Sequence, residues 1–264
     1  VAEVTAKDVA ALRKSTGAGI LDCRRALQES DGDIEKATRW LREQGLSGAS
    51  KRAGRERAEG AVSVVVNGKN GAVVSLECET DFVAKSNDFV ALVDNLADAC
   101  ATFGDAGIEK FTAEIDQIRV TLKENIAVGR HEQFVVEDDA VLDSYLHVQN
   151  GRGVNGVLVE LAGGTMELAH DVAVHIAFAR PEYLHRDDVP PEAIASERET
   201  ISAIALKEGK PEAQLEKIIE GRLNGWFKDR VLLEQSFARD EKKTILQLLG
   251  GAEVRRFAQV VVGA

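Results

Sequence analysis

Apolar residues along the first 45 positions recur at the three- and four-residue intervals of a helix. From Ala61 they alternate or run together as in extended chain. The first stretch divides into three short helices. Thr5 and Asp8 stand three apart, as in a capping box, with Val4 and Val9 at the flanking staple positions. Val9 and Leu12 then carry the apolar stripe until "STGAG" breaks it. A second helix is expected over Ile20–Glu29, with Ile20, Cys23 and Leu27 on one face. Ile20 and Leu21 are adjacent, so they cannot both face so small a core, and one is expected at the surface. "SDGD" ends this helix. Asp33 can cap a third, in which Ile34, Ala37 and Leu41 repeat until Gly45.

Residues 46–60, "LSGASKRAGRERAEG", hold few large apolar residues and are expected to form a linker. Its Lys51, Arg52, Arg55 and Arg57 offer charge to an acidic partner or simply solvate the chain. Beyond it, "AVSVVVN" and "GAVVSLECE" flank "GKN" as a hairpin. The strand pattern ends at Glu79, and Asp81 and Phe82 follow in a polar turn where a large ring has no evident core. Ser86 or Asn87 then caps a helix carrying Phe89, Val93, Leu96 and Cys100. "TAEIDQIRVTLKENI" continues as a helix and "EQFVVE" as a short strand. The plan recurs: "VLDSYLHVQ" and "GVLVELA" flank a Gly-rich turn, and "MELAHDVAVHIAFA" makes an amphipathic helix stopped at Pro181. From Pro190 to about Trp226 two antiparallel helices are expected, joined by "EGKP". Ile194, Ile201 and Ala205 face Leu215, Ile218, Ile219 and Leu223, and strand residues return only in "VRRFAQVVV".

The fold class that follows is α+β. A three-helix module over 1–45 resembles a ubiquitin-associated module. A core of antiparallel sheets with helices follows in two parts, 61–139 and 140–189 plus 231–264, and an antiparallel helical hairpin over 190–230 is inserted in the second.

Composition narrows the function. With 44% hydrophobic and 29% charged residues the chain is an ordinary globular protein, and a net charge of -11 disfavours nucleic acid as the main partner. No apolar run reaches membrane-span length, and the N-terminus lacks the features of a secretory signal, so a cytoplasmic protein is expected. Cys23, Cys78 and Cys100 are widely spaced and read as buried free thiols. Gly151, Gly153 and Gly156 satisfy GxGxxG, but they lie between two strands with no helix opening after them, as a hairpin turn would. His170 and His175 are spaced poorly for one metal. No residue set argues for acid–base, covalent or metal chemistry, so neither an enzyme nor a cofactor is expected.

The motifs "LRKSTGAGILDCRRALQESDGDIEKATRWLREQG", "KRAGRERAEG" and "LECETDFVAKSNDF" resemble bacterial elongation factor Ts. "SYLHVQNGRGVNGVLVEL", "DVAVHIAFARPEYL" and "EGKPEAQLEKIIEGRLNGWFKD" are similar to its later segments, in order. The resemblance implies a guanine nucleotide exchange factor for the GTPase elongation factor Tu, met in its GDP-bound and nucleotide-free states. It implies that the loop Thr80, Asp81, Phe82 and Val83 intrudes near the partner's magnesium. It also implies that Arg13, Ile20, Leu21 and Arg24 meet the nucleotide domain and that His147 meets another domain. Neither direct nucleic-acid binding nor a membrane is implied, and a homodimer through the helical hairpin is a further expectation. Compared with the family, a longer turn is expected after His147, and "VVVGA" ends the chain without the C-terminal helix of some members.

Overall fold

The computed structural model describes residues 4–263, excepting the side chains of residues 46–51. Three helices open it: α1 (Ala6–Thr16), α2 (Ile20–Glu29) and α3 (Ile34–Arg52). Thr5 caps α1 reciprocally. The Asp8 N–H donates to Thr5 Oγ1 at 3.3 Å and the Thr5 N–H to Asp8 Oδ2 at 3.1 Å. Val4 and Val9 pack with Ala18 and Trp40 around a small core of Leu12, Cys23, Ala26, Leu27, Ala37 and Leu41.

The third helix runs past Gly45, where the sequence pattern stops it. A Cβ on Gly45 would lie 2.5 Å from the Val120 methyls, so this glycine marks the place where α3 crosses a later helix rather than a helix end. Half of the expected linker is therefore helical. Its cations are engaged internally. Arg52 donates to the Arg119 carbonyl, Arg55 pairs with Glu79 at 3.2 Å and Arg57 with Glu77 at 3.0 Å. Lys51 lies outside the described side chains.

The core has four layers. Strands β1 (Glu59–Asn67), β2 (Asn70–Cys78) and β3 (Ala127–Val135) form one antiparallel sheet in the order β1-β2-β3. Between β2 and β3 lie α4 (Asp81–Ala84), α5 (Asn87–Phe103), α6 (Asp105–Glu109) and α7 (Thr112–Leu122). Strands β4 (Ala140–Gln149), β5 (Arg152–Ala162) and, much later, β8 (Glu253–Val261) form the second antiparallel sheet, in the order β4-β5-β8. Ala72, Val74 and Leu76 of β2 face α5, whereas Val73 faces Leu142, Leu158 and Ala258 of the second sheet. That sheet turns Val157, Val159 and Leu161 to α8 (Met166–Ala179). A strand covered on both faces reads as a continuous apolar run, which is why β2 and β5 show little alternation.

The glycine triplet belongs to this packing. Asn150 and Gly151 both take positive φ, 54° and 78°, and close β4 onto β5 in a two-residue turn. A Cβ on Gly153 would lie 2.1 Å from the Val62 carbonyl oxygen, so β5 approaches β1 as closely as only glycine permits. The turn after His147 is thus short, contrary to expectation. His147 lies in the strand opposite Asn155, and a bulge between His147 and Val148 takes up the extra residue.

Between α8 and β8 run α9 (Pro191–Lys207) and α10 (Glu212–Arg230), followed by β6 (Ser236–Phe237), β7 (Asp240–Thr244) and α11 (Ile245–Leu249). Ile201, Ile219, Leu223 and Phe227 pack α9 and α10 together. β7 reads "DEKKT" and has no apolar alternation to reveal it; β3 begins well before the expected "EQFVVE". His175, buried on α8, is held by two bonds. Its Nδ1 accepts from the Ala238 N–H at 3.2 Å, so its Nε2 donates to Gln235 Oε1 at 3.0 Å and the ring is neutral. Burial pushes its pKa down.

Candidate partner-docking site

The segment after β2 is a fixed platform rather than a slack turn. Thr80 caps the single turn of α4, accepting from the Val83 N–H at 3.5 Å. Glu124 reaches back from beyond α7 and its carboxylate accepts from the Glu79 N–H at 3.0 Å, the Thr80 N–H at 3.2 Å and the Thr80 hydroxyl at 2.5 Å. The Cys78 thiol donates to the Thr80 carbonyl at 3.2 Å. It stays protonated because burial first, and the Glu124 charge second, push its pKa up to about 12.

On this platform α4 has two sides. Val83 and Ala84 pack into the core under α5, while Phe82 is 83% exposed. Leaving so large a ring in water forgoes roughly 1.5–3 kcal/mol of burial. Beside it Asp81 is paired with Lys85 at 2.5 Å, and that ammonium holds the Asp81 carboxyl below its ordinary value. The four residues Thr80–Val83 are thus together, and two of them point outward. Ser86 precedes α5 and donates its hydroxyl to the Val83 carbonyl, closing the turn.

A second patch lies on the N-terminal helices. Arg13, Ile20 and Arg24 line one groove with Val4, Val9 and Ala10. Of the adjacent pair, both are exposed, Ile20 by 55% and Leu21 by 80%. The core of these helices is closed by Cys23, Ala26 and Leu27, one turn further on, which leaves no room for either residue. Lys123, held in the left-handed region at φ 58°, pairs with Asp22 of α2 at 2.7 Å. Its neighbours Glu124 and Asn125 hold the Phe82 platform and the 53–55 segment, Asn125 donating to the Ala53 and Arg55 carbonyls at 3.2 and 2.7 Å. Three consecutive residues therefore tie the two patches to one frame.

His147 stands apart from both. It is exposed on β4 and shares a groove with Tyr145, Asn155 and Phe178. Sequence reasoning missed Phe178, which is 78% exposed. The signal was present, because Phe178 falls off the stripe Ala169, Val172, Ala173, Ile176 that α8 buries. It also missed Glu124, whose pairing with residues more than forty positions away leaves no local trace. Among the described residues no cluster of His, Cys, Asp and Glu could hold a metal ion, and no helix is long and apolar enough to cross a membrane.

The exposed ring beside a carboxylate, and the exposed apolar pair flanked by arginines, are the candidate docking surfaces. Comparison with known proteins agrees with the motifs. Residues 79–264 match the family model described as "Elongation factor TS", and residues 1–48 match "Elongation factor Ts, mitochondrial, N-terminal". The chain is 43% identical over 278 residues to "Elongation factor Ts" of Kineococcus radiotolerans, covering 100% of both chains. It is 43% identical over 280 residues to the protein of that name from Mycobacterium tuberculosis strain H37Ra, covering 100% of this chain and 99% of the relative. To that from Paenarthrobacter aurescens it is 42% identical over 272 residues, covering 98% and 97%. The chain belongs to the elongation factor Ts family, and is thereby a translation elongation factor.

Proposed function

We propose that the chain promotes release of GDP from elongation factor Tu by disturbing that protein's magnesium and phosphate site. The observation that carries this reading is Phe82, 83% exposed on a helical turn pinned by Glu124. In this reading Phe82 enters the partner, and Asp81 competes for the groups that order the partner's magnesium, with Thr80 and Val83 setting the loop's shape. Magnesium holds nucleotide phosphate oxygens, so loosening it weakens GDP. By linkage, GDP weakens binding of this chain by the same factor, which makes the three-way complex transient. The nucleotide-free complex is then resolved when GTP enters. The chain acts by binding alone, without a covalent step.

In the same reading Arg13, Ile20, Leu21 and Arg24 grip the partner's nucleotide domain from a ubiquitin-associated-type module over 1–45, and His147 meets another domain. The unit 190–230 is an inserted hairpin on a core of two halves, 61–139 and 140–189 plus 231–264. Exposed Ile204 and Leu206 on α9 support a contact between two copies through that hairpin. The site of action is the cytoplasm. The test is release of a fluorescent GDP analogue from elongation factor Tu: acceleration by catalytic amounts of this chain is expected, and an unchanged release rate rejects the reading.

A further inference from the structure

A groove of about 750 Å3 runs between the two sheets and the segment 181–188; it adjoins the His147 groove at Arg180 and Val261 but is lined by none of the residues assigned above. Its long wall is β8. Arg255, Arg256, Phe257, Gln259, Val260 and Val261 all line it, odd and even positions alike. A groove on a sheet face would meet alternate residues only, so the strand presents its edge. β8 is the last strand of its sheet, bonded to β5 on one side. Among the described residues no backbone or side-chain group bonds its other side. The floor comes from Ser75 and Glu77 of β2 and Arg130 of β3.

The charges in the groove are unevenly satisfied. Glu77 is paired with Arg57 and Glu182 with Arg230. Asp188 accepts the His185 N–H. Arg255 and Arg256 share Glu160, and Arg255 also holds Asp139. Arg130 and Arg180 are exposed and, among the described residues, have no carboxylate in reach. In a chain of net charge -11, two such cations in one groove select for a carboxylate. Arg180 is further held at φ 49° as the C-cap of α8, a conformation in which glycine is the relaxed residue.

We propose that this groove receives an extended acidic segment of a partner protein, which pairs with β8 as an added strand and sets its carboxylates on Arg130 and Arg180. Main-chain bonds to the free edge supply affinity, and the arginines set the preference for acidic side chains. The site does not depend on nucleotide exchange.

The probe is a fluorescein-labelled peptide of alternating glutamate and valine, followed by anisotropy with the full chain. Saturable binding is expected, with loss of hydrogen exchange at β8 amides. Arg180→Gly relaxes the backbone while removing the guanidinium, so it folds; it and Arg130→Ala together are expected to weaken binding at least tenfold. The same peptide N-methylated at alternate residues is expected not to bind. Equal binding of a lysine–valine peptide, or full binding by the double variant, overturns the proposal. So does equal binding of the N-methylated peptide. Binding of a short single-stranded RNA at the arginines, with none of the acidic peptide, assigns the groove to phosphate and also overturns it.

Discussion

The two halves of the core leave their hairpins in the same way and then diverge. After β2, Thr80 caps α4 through the Val83 N–H; after β5, Thr165 caps α8 through the Leu168 N–H at 3.2 Å. In the second half the helix continues for 14 residues and buries Ala169, Val172, Ala173 and Ile176. In the first it stops after one turn, and Glu124 ties down the entry to that turn. The same cap thus builds a packing helix in one half and a pedestal in the other. Phe82 is exposed because the residues on either side of it are fixed, not because the chain there is loose.

Substitutions can break that comparison. The largest effect is expected from Phe89→Ala, which removes a fully buried ring from the first half and costs about 3–5 kcal/mol, read by thermal or urea unfolding. Phe82→Ala, only seven residues away, is expected to leave unfolding unchanged. Stopped-flow GDP release at saturating factor is expected to slow by the equivalent of roughly 2 kcal/mol or more. If Phe82→Ala unfolds the protein like Phe89→Ala, the pedestal is part of the core.

Glu124→Gln tests the tie itself. It removes the charge that accepts two backbone N–H groups and a hydroxyl, for an expected cost of about 1–2 kcal/mol. Exchange is expected to fall although Phe82 is intact; unchanged exchange would show that the pedestal holds without it. Next comes pH, which separates the halves. His175 is neutral and buried in the second half, with its pKa lowered from the ordinary value near 6.5. The unfolded chain therefore takes up that proton first. Stability is complete above pH of about 6.5 and declines as pH falls from there toward the lower folded value. His175→Gln is expected to flatten the slope in this window, checked by unfolding curves across it. The smallest effect belongs to Met166→Ala at the start of α8, half exposed, with a change expected within about 0.5 kcal/mol and none in exchange.

Local pattern made much of this architecture legible. The Thr5–Asp8 box, the span of α2 and the β1–β2 hairpin follow from residues adjacent in sequence. What failed to show was contact between distant segments. Gly45 read as a stop because nothing near it announces Val120, and Arg55 and Arg57 read as free because Glu77, on β2, and Glu79, just past its end, lie twenty or more positions further on. The candidate site divides in the same way. "ETDFVAK" stands out as a motif, and the adjacency of Ile20 and Leu21 required one exposed residue, where the small core leaves both outside. Phe178 is legible as the ring off the α8 stripe, whereas Glu124 is legible only once α7 is placed against β2.

The late return of β8 also sets an order of assembly. The first sheet is complete when Val135 has been made, although four helices separate β2 from β3. The second pairs β5, ending at Ala162, with a strand that begins at Glu253. During synthesis the first half can close on the nascent chain, while β5 keeps one edge unpaired until β8 has been made. Until then Val157 and Val159 lack the strand that flanks them on that side. For this fold the vulnerable interval thus lasts until β8 is made, when a single strand must find the open edge of β5.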